Sequence, residues 1–230
     1  MLTTLLSLLG AQQIAFSTMV PVQNPKFDLP AHPYPILKPF AIKPIIKAKA
    51  AFSIDLETGQ ILFNQNSAAK LPMASLTKLM TAWIVLHEHK LNEIVQIDPQ
   101  VPKIEPSKAN LLAYEKITVK ALIEAIFVKS ANDAALALAI YDSGSETKFA
   151  EKMNKYAQQM GLLDTHYENS TGLDADNHYS SARDIALLAR KIYHYKIVQN
   201  SADLKSIVIT SIHNKFKHPL KNTNKLLNSY

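Results

Sequence analysis

The chain has 230 residues, 47% of them hydrophobic, so it can bury the core of one large domain or two small ones. It contains no cysteine, which excludes disulfides, thiolate catalysis and cysteine-based zinc sites. The formal net charge is +6, which favours anionic surroundings. Because the basic residues are spread along the chain and not clustered with aromatic residues, we expect no nucleic-acid partner.

The chain begins with an apolar segment. Residues 2–17 are apolar, and small residues at Ala15 and Ser17 give the pattern that ends a secretory leader. No lysine or arginine precedes this run, which is unusual for a leader. We expect a signal peptide over residues 1–18, and therefore export to the periplasm or cell envelope.

A proline-rich segment follows. Between Pro21 and Pro44 the chain has seven of its twelve prolines and no glycine. This composition predicts an extended and fairly stiff segment over residues 19–47. The alternative is an arm that packs on the surface of the domain.

The remaining sequence, residues 48–230, shows strand alternation and then helical periodicity. Apolar residues alternate on both sides of a turn signal at Gly59, which predicts a β-hairpin over residues 50–64. A β-branched run predicts a second hairpin over residues 204–220. Apolar residues at three- and four-residue spacing predict five helices, over residues 75–89, 119–129, 133–141, 146–160 and 182–195.

The first motif with chemical meaning is Ser75-Leu76-Thr77-Lys78. Ser-x-x-Lys occurs three times, at residues 67–70, 75–78 and 145–148, but the second opens the most apolar predicted helix. There Ser75 is a candidate nucleophile and Lys78, one turn later, a candidate base, provided that burial or a nearby cation keeps the amine neutral. The alternative is that Ser75 caps the helix and Lys78 is solvated.

The second motif is Ser130-Ala131-Asn132, which occurs once, between two predicted helices. A loop between helices can direct a hydroxyl and an amide into a cleft. Capping of the following helix by Ser130 or Asn132 explains the same residues equally well.

The sequence predicts no metal and no cofactor. His87-Glu88-His89 lacks the spacing that places two imidazoles on one helix face, and no phosphate loop or dinucleotide fingerprint is present. His166 and His178 are interpreted as structural histidines with satisfied hydrogen bonds.

Several segments together resemble one enzyme family. Residues 71–81, 129–135 and 161–173, followed by 178–184 and 222–227, are similar to segments of the D-alanyl-D-alanine carboxypeptidases, the low-molecular-mass penicillin-binding proteins. The likeness runs from about residue 50 to residue 227, in the family's order. It implies an α/β protein of the β-lactamase/transpeptidase-like fold, with a helical lobe and an antiparallel sheet.

The resemblance implies a serine D-Ala-D-Ala carboxypeptidase that acts on peptidoglycan stem peptides through an acyl-enzyme and reacts with β-lactam antibiotics. Ser75 is then the acylated nucleophile and Lys78 its proton acceptor. Ser130 relays a proton to the leaving amine, and Asn132 binds the substrate backbone and helps to hold Lys78. No metal is implied.

One element of the family is absent, because Lys-Thr-Gly, which follows the 222–227 segment in relatives, does not occur. We expect residues 48–230 to be an incomplete catalytic domain with partial sheet and impaired activity. Such a chain should aggregate or pair with another chain that supplies the missing strands. Association with the inner membrane is a further expected partnership. Alternatives are a non-catalytic remnant that binds cell-wall peptide, a D,D-endopeptidase, or a serine β-lactamase.

Overall fold

The computed structural model describes residues 34–228. The predicted signal peptide over residues 1–18, and the proline-rich segment up to residue 33, lie outside the described residues. Residues 34–47 form neither helix nor strand, and nearly all of their side chains are exposed. Gln65 Nε2 donates to the carbonyl of Ile46, so the end of this segment contacts the folded part of the chain. The extended segment and the packed arm both stay predictions.

The described residues form six α-helices and six short strands. Short 3-10 turns also occur, and the one over Ala74–Thr77 directly precedes α1. The elements are β1 (Ala51–Ile54), β2 (Ile61–Gln65), α1 (Lys78–Glu88), β3 (Ile94–Gln96), β4 (Lys116–Thr118), α2 (Val119–Lys129), α3 (Asn132–Ser143), α4 (Glu146–Gln159), α5 (Ala182–Ile192), α6 (Lys196–Ala202), β5 (Ser206–Thr210) and β6 (Lys217–Lys221).

All five predicted helices and both hairpins are confirmed, with changes at their ends. The largest changes are at the start of α1, which begins at Lys78 because residues 74–77 form the 3-10 turn, and at the end of α5, which ends at Ile192. The sequence did not predict α6 or the β3–β4 pair. The strands of that pair have three residues each, too few for alternation to be recognised.

The strands form three separate antiparallel pairs, β1–β2, β3–β4 and β5–β6. Helix α5 packs against β1. The Arg190 side chain of α5 donates hydrogen bonds to the carbonyls of Leu56 and Glu57 in the hairpin turn. On β2, Ile61 and Leu62 are more than half exposed, at 57% and 51%, so this hairpin leaves apolar side chains in water.

Helix α3 lies at the centre of the helical part. Eight consecutive residues, Asn132 to Ala139, are buried, and four of them are alanine, so α1, α2 and α4 can pack closely around it. This packing fixes the turn before α3 relative to the start of α1. No helix among the described residues has the length and hydrophobicity needed to cross a bilayer.

A buried ion pair attaches β6 to the loop before β4. His218 Nε2 lies 2.7 Å from the Glu115 carboxylate, and both side chains are at most 5% exposed. The hydrogen bond with Glu115 raises the pKa of His218 above its ordinary value, although burial opposes it. The folded protein therefore holds the His218 proton more tightly than the unfolded chain does.

This pair predicts a pH-dependent stability. Its contribution to the free energy of unfolding should be complete below pH about 6.5 and should decrease, by at most about 1.4 kcal/mol per pH unit, as pH rises through the raised pKa. Denaturant unfolding of the wild type and of His218→Gln should give curves that converge with rising pH. His213→Gln, at an exposed position, serves as control. A constant difference between wild type and His218→Gln would contradict the prediction.

Candidate active site

The candidate nucleophile, Ser75, lies in the 3-10 turn over Ala74–Thr77, the nucleophile turn, which directly precedes α1. Ser75 is exposed, and the preceding residue, Ala74, has a positive φ of 46°. Neither the turn nor α1 has a side-chain cap, so the alternative interpretation of Ser75 as a helix cap is wrong. The Ser75 hydroxyl is thus open to solvent and free of a capping role.

The candidate base is buried beside this hydroxyl. Lys78 is 3% exposed, and its Nζ donates to Ser75 Oγ at 3.1 Å and to the Thr171 carbonyl at 2.6 Å. Burial lowers the pKa of Lys78 to about 8. Roughly a tenth of the amines are therefore neutral at pH 7, and a solvated Lys78 is excluded. Burial is sufficient for this shift, without the nearby cation that the sequence analysis had allowed.

The structure distinguishes the three Ser-x-x-Lys motifs. Ser145 caps α4 by accepting a hydrogen bond from the Lys148 amide. Lys70 is exposed and its Nζ lies 5.2 Å from the centre of the Tyr179 ring. Of the three, the motif at 75–78 is the one that joins a serine hydroxyl to a buried amine.

Ser130 and Asn132 lie at the turn between α2 and α3. Ser130 has left-handed backbone angles, φ 55° and ψ 39°, and no hydrogen-bond partner of its hydroxyl is found in the described part of the chain. Asn132 Nδ2 donates to the Pro106 carbonyl at 2.6 Å. Because Ala131 is the N-cap of α3 and no side chain bonds there, the capping alternative is wrong for both residues.

The turn does not bond directly to the Ser75–Lys78 pair. Within residues 34–228, no hydrogen bond joins Ser130 or Asn132 to Ser75 or Lys78. Lys78 Nζ donates to Ser75 Oγ and to the Thr171 carbonyl instead, so the contact through which Asn132 was expected to hold Lys78 is not made among these described residues. The remaining roles of the two residues stay predictions.

The sequence analysis missed Asp133, which fixes the loop that Asn132 contacts. Asp133 is fully buried, and its carboxylate accepts hydrogen bonds from the amides of Ala109 and Leu111, at 2.9 and 3.1 Å, and from Ala134. Its position directly after Asn132 at a helix start was the available signal, since acidic residues there bond to backbone amides.

A second missed feature is residues 169–172, which supply the carbonyl partner of Lys78. Asn169 Oδ1 accepts from the amides of Thr171 and Gly172, which closes a tight turn. The Ser170 carbonyl accepts from Thr81 Oγ1 at 2.6 Å, one turn beyond Lys78 on α1. The turn is therefore held against α1 at two successive carbonyls.

A cavity of about 650 Å³ adjoins the nucleophile turn at Ala74 and is also lined by Lys70, Asp174 and Tyr179. The side chains of Ser75 and Lys78 are not part of its lining, so the cavity flanks the pair.

Away from this site, Glu88, His89 and Asp142 come close enough to one another to hold a metal ion. Lys152 Nζ already contacts both carboxylates of that cluster, at 2.9 Å from Glu88 and 2.7 Å from Asp142.

Comparison with known proteins shows the family of this chain. The sequence profile of the peptidase S11 family, described as D-alanyl-D-alanine carboxypeptidase, matches residues 39–230. The chain belongs to this family. DacF of Bacillus subtilis (strain 168), a D-alanyl-D-alanine carboxypeptidase, is 35% identical over 190 residues, which are 80% of this chain and 48% of DacF. DacD of Escherichia coli (strain K12) is 38% identical over 66% of this chain and 42% of its own length.

Solved structures of the family have the same fold. A mutant of the Streptomyces K15 DD-transpeptidase matches with a TM-score of 0.75 and 27% identity, over 82% of this chain and 78% of that one. Penicillin binding protein 6B of Escherichia coli matches with a TM-score of 0.73 and 35% identity, over 82% and 62%. The β-lactamase/transpeptidase-like fold is thus confirmed. The chain spans about half or less of the length of DacF and DacD.

The close packing of Gly172, in the turn over residues 169–172, against Ala74 can be tested by substitution. Gly172 has φ +87°, and a Cβ there would lie 1.9 Å from the Ala74 carbonyl oxygen. Gly172→Ala should reduce the free energy of unfolding by about 3 kcal/mol or more, since backbone cannot yield as a flexible side chain can. Gly144→Ala is the matched control, because Gly144 has φ +78° with open space around it, and should cost about 1–2 kcal/mol. Equal losses in chemical denaturation would show that Gly172 does not pack on the nucleophile turn.

Proposed function

We propose that this chain carries the nucleophile and base of a serine D-Ala-D-Ala carboxypeptidase of peptidoglycan. The observation that supports it most strongly is the 3.1 Å contact of Lys78 Nζ with Ser75 Oγ, combined with the burial that lowers the pKa of Lys78 to about 8. The substrate is a stem peptide ending in D-Ala-D-Ala, and β-lactam antibiotics acylate the same hydroxyl. Because peptidoglycan lies outside the cytoplasmic membrane, the site of action is the cell envelope.

The geometry is suited to proton transfer from Ser75. A neutral amine has two N–H bonds and one lone pair, so Lys78 can donate to the Thr171 carbonyl while its lone pair accepts the Ser75 proton. Ser75 Oγ then bonds to the carbonyl carbon of the penultimate residue. The C–N bond to the terminal D-alanine breaks, and its amine leaves with the proton returned from Lys78. The resemblance assigns the delivery of this proton to Ser130, which makes no hydrogen bond with Lys78 in the described part of the chain. Water hydrolyses the acyl-enzyme and restores Ser75.

The reaction also needs groups that hold the substrate carboxylate. The resemblance implies that Lys-Thr-Gly supplies these groups in relatives, and this tripeptide does not occur in the 230 residues. We propose that added strands pair with the β1–β2 hairpin and supply them, since Ile61 and Leu62 of β2 present an apolar surface to water. Without such strands, acylation is slower because the carboxylate and the oxyanion lose partners.

A fluorescent penicillin tests the proposed function. We expect a covalent adduct that intact-mass and peptide mass spectrometry place on Ser75 and that disappears in Ser75→Ala. Ser67→Ala is the matched control, because Ser67 begins another Ser-x-x-Lys motif and its hydroxyl makes no hydrogen bond with the described residues. It should be labelled as the wild type is.

Circular dichroism on each sample establishes that the protein is folded. Folded wild type that forms no adduct would contradict the proposed function and favour the non-catalytic remnant. A stable adduct with slow turnover of D-Ala-D-Ala peptides would support the nucleophile and base, and would locate the defect in the missing carboxylate partners.

A further inference from the structure

His178 contacts the nucleophile turn at Thr77. The side chain is 6% exposed, and its Nε2 lies 2.6 Å from Oγ1 of Thr77, which is fully buried. Thr77 Oγ1 in turn donates to the Ala74 carbonyl at 2.8 Å. A chain of two hydrogen bonds thus leads from His178 to the residue immediately before Ser75.

These hydrogen bonds fix the protonation of the ring. The backbone amide of Glu168 donates to His178 Nδ1 at 3.1 Å, so Nδ1 is an acceptor and carries no proton. Thr77 Oγ1 uses its own proton on the Ala74 carbonyl, so it must accept from His178 Nε2. Both requirements are met by one form, the neutral imidazole with its proton on Nε2.

The Ala74 end of this chain is the place where positioning is needed. Ala74 has a positive φ of 46°, an uncommon conformation for a residue with a Cβ, and it persists when its surroundings hold it. The carbonyl that Thr77 contacts belongs to this residue, and Gly172 packs against the same carbonyl. The main chains of Leu71 and Ser180 exchange two hydrogen bonds, which keeps the segment containing His178 beside the turn.

We propose that neutral His178, acting through Thr77, is a positioning residue for Ser75, so that acylation requires this histidine to be unprotonated. A proton on Nδ1 would face the Glu168 amide, donor against donor, and would displace the ring from Thr77. This inference rests on the proposed function, because the reaction it governs is acylation of Ser75.

The charges around His178 are compatible with a neutral ring. Burial lowers the pKa of His178 below its ordinary value, and the nearby His166 acts in the same direction. Glu168, Asp174 and Glu146 oppose the shift without cancelling it. The uncharged ring of Tyr167 packs edge-on against the imidazole at 6.0 Å. The neutral form therefore persists at neutral pH and is lost on acidification.

The pH profile of penicillin acylation distinguishes positioning from a general structural role. In wild type, the logarithm of the rate should rise with slope 1 below pH about 8, because Lys78 must lose a proton, and should steepen towards slope 2 below the pKa of His178. His178→Gln has an amide N–H that reaches Thr77 and does not titrate. It should retain most of the rate at pH about 8 and keep slope 1 throughout.

Three further variants and one control complete the design. His178→Leu, which has no donor, should acylate about 10-fold or more slowly at every pH, as expected when a nucleophile is misplaced. Thr77→Val should lose a similar factor in the acylation rate. The double variant His178→Leu with Thr77→Val should lose no more than either single variant, because both changes break the same chain of hydrogen bonds. His194→Gln, at an exposed histidine, is the control and should reproduce the wild-type profile.

The outcomes separate this inference from the proposed function. Adduct formation with the same pH slope in wild type and His178→Gln, or additive losses in the double variant, would overturn the inference and leave the proposed function standing. Folded wild type without any adduct would contradict the proposed function. Nitrogen NMR of the imidazole in Ser75→Ala tests the tautomer without any reaction, and a proton on Nδ1 at neutral pH would overturn the inference in either case.

Discussion

The burial of one amine beside neutral oxygen atoms is the constraint on which the site depends. Among residues 34–228, Lys78 contacts a hydroxyl and a carbonyl but no carboxylate, and burial lowers its pKa to about 8. Lys152 shows the opposite case: burial also acts on it, but its contacts with Asp142 and Glu88 outweigh that effect and raise its pKa. The same side chain is thus a poor base where carboxylates surround it and a usable base where neutral oxygens do.

The fold keeps this amine out of water from several sides. The alanine-rich α3 lets α1 pack closely, and the 169–172 turn covers the Lys78 end of α1 with its carbonyls. Asp133 holds the loop in front of Asn132 through backbone amides. Two residues of the candidate site have uncommon backbone angles, since Ala74 and Ser130 both have a positive φ. Such angles are frequent at functional sites.

Sequence reasoning was most accurate where a pattern extends over many residues. Periodicity located α2 to the residue and both hairpins, and motif order identified the family. It could not locate the start of α1, because a 3-10 turn and an α-helix carry the same apolar spacing over four residues. It also missed Asp133 and the role of Thr171, since hydrogen bonds to backbone groups far along the chain leave no local pattern.

The central claim is that Lys78 is a buried amine that loses its proton near neutral pH. The most direct measurement is an NMR titration of the Lys78 side chain, with ¹³C-labelled lysine in the intact protein and Lys78→Arg to assign the signal. The account predicts a titration midpoint of about 8, well separated from the exposed lysines. A midpoint close to the ordinary value of 10.5 would contradict it, because Ser75 would then lack a base.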